Sequence, residues 1–77
     1  MQCSEIQRLY NVRDWNRKMV SVVEKKIRSE IDSTPNTPKA QKRLEVRVQA
    51  LRNTADRHRS NIVGLERAIV ELEKAAA

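Results

Sequence analysis

The chain has no phenylalanine, one glycine, two prolines and one cysteine, and its only aromatic residues besides His58 are Tyr10 and Trp15. Each scarcity excludes something. So little glycine and proline rules out the many tight turns that an all-β protein needs. A lone Cys3 closes no internal disulfide, and it fits a reducing compartment. Cys3 and His58 stand far apart with no cluster of ligands around either, so no metal site is expected. No apolar run approaches the roughly 20 residues of a membrane span. Glu5, Arg8, Arg13 and Asp14 interrupt any apolar core that a signal peptide would require. A soluble, intracellular protein is the expectation.

What is present is charge and aliphatic side chains. Charged residues make up 34% and hydrophobic ones 39%, enough Leu, Ile and Val to fold while few aromatics are available to fill a globular centre. That mixture suits paired helices. At 77 residues there is room for a single domain, 1–77, with a core so small that a second copy or a partner is the usual remedy.

Between Ser4 and Ile31 the apolar residues Ile6, Leu9, Tyr10, Val12, Trp15, Met19, Val20, Val22, Val23, Ile27 and Ile31 recur at three and four residues, the helical period. The spacing predicts a first helix over about 4–31, with Ser4 as its N-cap. Its apolar face is broad enough for more than one neighbour. Asn16 lies inside that face, where a polar group fixes register at some cost in stability.

Both prolines fall in "DSTPNTPKAQ", residues 32–41. A residue before proline is pushed out of the α region, which affects Thr34 and Thr37. Asp32, Ser33 and Asn36 favour turns. Thr37 followed by Pro38 makes an N-cap and first-turn pair. These signals predict a turn over 32–37 between antiparallel helices. An alternative reading makes the two Thr-Pro steps kinase-accessible sites in a linker.

The second helix, about 38–76, carries the strongest pattern. Leu44, Val48, Leu51, Ala55, His58, Ile62, Leu65, Ile69, Leu72 and Ala76 alternate four and three apart without a slip. Val48, Ala55, Ile62, Ile69 and Ala76 take heptad position a, and the others d. At about 1.5 Å per residue this helix is longer than the first, so part of it must project or find another chain. A parallel zipper would set Arg47 against Arg52, and it would gain no opposite-charge pair. The fold class expected is therefore all-α: an antiparallel helical hairpin with a long heptad-patterned second helix, assembling into a helical bundle or coiled coil.

Chemistry is sparse. His58 invites a pH-sensitive seam, but a tolerated polar core residue is the plainer reading. Ser60 and His58, two apart on a helix, point different ways and make no nucleophile and base. Glu66, Glu71 and Glu73 read as solvated surface. No enzyme, cofactor or small-molecule substrate is expected. Charge is more telling: Lys39, Lys42, Arg43, Arg47, Arg52, Arg57 and Arg59 stand against only Glu45 and Asp56, so most of the net +6 sits in the first half of the second helix. That stretch could track a phosphate backbone or an acidic protein, without aromatics for base stacking.

The length, the two helices and the "PNTP" turn resemble the needle subunits of bacterial type III secretion filaments. The Arg-rich surface departs from them and many helical hairpins share the pattern, so no family is assigned. The reading that follows is an assembly or protein-interaction module. Its expected interface comprises Trp15, Val22, Leu44, Val48, Leu51, Ile62, Val63, Leu65, Ile69, Val70 and Leu72, with a homo-oligomer or a helical protein as partner. The alternative is a small basic protein that binds nucleic acid through Lys39–Arg59.

Overall fold

The computed structural model describes residues 4–76, so Cys3, and any role for its thiol, lies outside the described residues. Two helices, α1 (Glu5–Ser33) and α2 (Pro38–Ala76), pack against each other as an antiparallel hairpin. The molecule measures 58 × 21 × 13 Å, the long axis being that of a 39-residue helix.

Local chemistry sets the ends. Ser4 is extended (φ −63°, ψ 153°) and its hydroxyl accepts from the Gln7 N–H at 3.1 Å, which caps α1. The helix runs two residues past Ile31 because the residue that proline forces out of helical geometry is Thr34 (ψ 128°); Asp32 and Ser33 are still free to continue. The turn is accordingly the four residues 34–37 and not the six expected. Thr37 caps α2 as anticipated, its hydroxyl accepting from the Ala40 N–H at 3.3 Å. Thr34 donates its hydroxyl to the Glu30 carbonyl and accepts from Arg47. Both Thr-Pro hydroxyls are thus engaged in closing helix ends.

The core is a single seam. On α2, Leu44, Val48, Ala55 and Ile69 are buried, and Leu51, His58, Ile62, Leu65 and Leu72 are half-buried. Every a and d position named from the sequence therefore faces α1 except Ala76, which is exposed at the end. On α1 the inward row is Ile6, Leu9, Arg13, Asn16, Val20, Val23, Ile27 and Glu30, again spaced three and four apart. Two thin rows meeting across one interface leave little fully enclosed volume; Ala55, at 2% exposed, is the most covered hydrophobic side chain. The surplus length of α2 falls mostly at the turn. Tyr10 near the start of α1 already reaches Glu73 near the end of α2, so it is Pro38–Arg43 that extends beyond α1.

Candidate interaction surface

Heptad geometry gives the hairpin two flanks on either side of its seam. One flank is cross-linked. The Tyr10 hydroxyl donates to Glu73 at 2.6 Å, Arg17 pairs with Glu66 at 3.1 Å, and Arg59 pairs with Glu24 at 3.2 Å. Each rung moves seven residues up α1 and seven down α2, so an antiparallel register with no slip is what brings them together. The bond to Glu73 stabilises the neutral phenol, and partial desolvation and the carboxylate's charge add to it. These raise the Tyr10 pKa above its ordinary value near 10, while Arg13 pulls the other way. Arg13 stacks over the Tyr10 ring at 4.7 Å and bonds Asp14, which lets a guanidinium occupy a seam position with its stem covered.

Between the flanks sits a polar knot. Asn16 is 3% exposed. Its Nδ2 donates to the Val12 carbonyl at 2.8 Å, so its Oδ1 is the acceptor that faces His58 Nδ1 at 2.8 Å and Asn61 Nδ2 at 3.3 Å. That orientation requires a proton on His58 Nδ1, because a carbonyl oxygen cannot donate. Among the described residues no buried polar side-chain atom lacks a partner. His58 is therefore a bonded seam residue, and Asn16 is a buried polar group that joins the two helices across the seam.

The second flank is open. Val12, Trp15 and Val22 are 46%, 55% and 47% exposed, and with half-buried Met19 they form an apolar ridge along α1. Trp15 leans on the His58 ring edge-on, with centroids 5.5 Å apart. Beside the ridge a shallow groove is lined by Val12, Asn16, Ser60, Asn61, Gly64 and Leu65. The only glycine of the chain lies in it, and a Cβ at Gly64 would meet nothing within 4 Å.

Of the interface expected from the sequence, Leu44, Val48, Leu51, Ile62, Leu65, Ile69 and Leu72 are taken up by the hairpin's own seam. Trp15, Val22, Val63 and Val70 remain exposed. The last two are not beside Trp15. Val63 is about 100° around α2 from Gly64, and it lines a separate outer groove with Val70, Glu66, Arg67 and Glu71. The exposed Val12, the Gly64 groove and the polar rungs were not anticipated. Their signal in the sequence is heptad spacing, of 10, 17 and 24 against 59, 66 and 73, but it has no meaning until the register is known.

The basic residues also divide. Arg47 pairs with Glu30 at 3.2 Å, and Arg59 with both Glu24 and Asp56. Lys39, Lys42, Arg43 and Arg57 are exposed within an arc of about 100° on one side of α2, and Arg52 stands about 80° to the side of it. Among the described residues no group of His, Cys, Asp and Glu could hold a metal ion, and no helix is long and apolar enough to cross a membrane. Comparison with known proteins adds no relative: no protein-family model matches the chain, and no similar curated protein or solved structure was found.

Proposed function

We propose that this hairpin is a non-enzymatic assembly module, which packs its exposed apolar ridge against further helices, either of its own kind or of a helical partner. The observation that carries this reading is Trp15, more than half exposed on a ridge that continues through Val12 and Val22. Tryptophan is the largest apolar side chain, and a contiguous exposed patch around one marks an interaction site more often than an idle surface. The thin core adds to the argument, since a two-helix seam gains most from a second layer. Val63 and Val70 offer a further, separate contact on the outer face of α2. An intracellular setting fits the lone Cys3.

Contact with nucleic acid through Lys39, Lys42, Arg43, Arg52 and Arg57 is the second reading. It is favoured by the absence of ion pairs to these five among the described residues and by four of them sharing one side of α2, and weakened by the lack of aromatic side chains among them for base stacking. Salt separates the two, because binding to phosphates falls steeply as salt rises while apolar packing holds.

Light scattering over a range of concentrations, with helicity followed by circular dichroism, tests the proposal. The expected result is a mass above the 8.9 kDa of one chain, lowered by Trp15→Asp with helicity kept. A stable 8.9 kDa monomer at high concentration that captures no helical partner sinks it.

A further inference from the structure

We propose that two copies of the hairpin stack open flank to open flank about a two-fold axis parallel to their helices, seating Trp15 of each copy over Gly64 of the other in an antiparallel four-helix bundle. This rests on the assembly reading and names its partner: a second copy of this chain.

The open flank carries both halves of a fit. Trp15 is the knob, and the hole is Gly64, with nothing within 4 Å of where a Cβ would stand. Nothing inside the hairpin requires a glycine there. It has no positive φ, and it lies in the middle of a helix where alanine is the more stable residue. A bulky side chain arriving from outside supplies the missing reason.

Height along the molecule decides whether knob and hole can meet. Gly64 shares its groove with Val12 and Asn16, three residues before and one after Trp15 on α1, so the two features stand within about one helical turn of each other. A two-fold axis along the hairpin reverses left and right and leaves height unchanged. It therefore lays α1 of each copy on α2 of the other, with Trp15 opposite Gly64, twice. A two-fold axis across the helices would set Trp15 on Trp15 and Gly64 on Gly64, crowding one side of the interface and emptying the other. Alternation of large against small is what packs.

Charge agrees with the same placement on one side of Trp15, while on the other side Val22 comes to lie against the aliphatic stem of Arg57. Arg8 lies seven residues before Trp15 and Glu71 seven after Gly64, so two heptad steps in opposite chain directions bring them to one height with opposite signs. Glu71 is only loosely held within its own chain, 4.0 Å from Lys74 and largely exposed. Each interface thus gains two Arg8–Glu71 pairs at its rim. In the resulting bundle every neighbouring helix pair is antiparallel, the arrangement that up-and-down four-helix bundles use.

Sedimentation equilibrium of the full chain, read together with the fluorescence of its single tryptophan, tests the geometry. The wild type should reach twice 8.9 kDa, and Trp15 emission should shift to the blue over the same concentration range. Gly64→Leu should raise the thermal midpoint of the monomer and abolish the dimer, a split that a role confined to the helix would not produce. Arg8→Glu should weaken the dimer by about tenfold. Adding Glu71→Arg to Arg8→Glu should bring the affinity back. A dimer that is indifferent to Gly64→Leu, or a double swap that stays weak, overturns the stacking. If the wild type associates but only Val63→Asp and Val70→Asp disperse it, the assembly reading stands and this interface is wrong. If the wild type stays at 8.9 kDa throughout, self-association goes with it.

Discussion

Along one flank of the hairpin, Tyr10, Arg17 and Glu24 reach across to Glu73, Glu66 and Arg59; along the other, Val12, Trp15 and Val22 stay about half-exposed. Both flanks use the same seven-residue step. The first satisfies its polar groups within one chain and is content in water, although each exposed pair is worth little and salt screens it. The second keeps apolar surface in water and can lose it only to another molecule. One heptad pattern can thus carry paired polar groups on one flank and exposed apolar side chains on the other. The chemistry placed beside the seam decides which each flank shows.

The seam shared by both flanks should dominate stability. Ile69→Ala is expected to cost about 2–5 kcal/mol in urea denaturation, because the site is buried between helices that cannot collapse onto it. Val46→Ala, at 71% exposed, should stay within about 0.5 kcal/mol. Similar small effects for both would remove the seam on which the two flanks are defined.

Neighbouring residues then compare the seam's polar knot with the closed flank. Asn16→Ala leaves His58 Nδ1 and the Asn61 amide without their acceptor, at an expected cost of about 1–3 kcal/mol. Arg17→Ala removes one exposed rung and should cost about 0.2–1 kcal/mol, less at high salt. A larger loss at Arg17 than at Asn16 would reverse the comparison.

A gain is expected one step beyond the last rung. Continuing the seven-residue step from Glu24 and Arg59 pairs Ile31 with Arg52, an apolar side chain against a cation. Ile31→Glu should complete a fourth rung and stabilise the hairpin by about 0.2–1 kcal/mol at low salt, an increment that fades as salt rises. Loss of stability in low salt would show that the register drifts toward the turn.

The smallest effect belongs to alkaline pH. Tyr10 titrates above its unfolded value when folded, so its contribution is fully present below about pH 10. It is lost as pH rises through the raised folded value, where ionised Tyr10 would face Glu73. Urea midpoints of the wild type should therefore fall more steeply above that pH than those of Tyr10→Phe. Parallel curves would mean that the bond to Glu73 does not survive in solution.

Much of the fold was legible because it is local. Ser4, Thr37 and Pro38 act on backbone within a turn of themselves, and the α2 heptad needs only side-chain spacing to declare its inner face. The division between seam and exposed apolar surface was legible only in part. Trp15, Val22, Val63 and Val70 stood in an apolar list beside Leu65 and Ile69, and hydrophobicity alone cannot tell a seam residue from one left outside. On α1 the inward row includes Arg13, Asn16 and Glu30, so reading apolar residues alone drew the face too wide.

Two helices, the turn that separates them and the buried side of α2 follow from local chemistry, since propensity, capping and periodicity are properties of neighbours in the chain. The register between α1 and α2 is fixed by packing in three dimensions. Register is a sum over contacts between residues as far apart as Tyr10 and Glu73, and it has no local signature. Once set, it turned scattered charges into rungs on one flank and left an exposed Trp15 and the groove at Gly64 on the other.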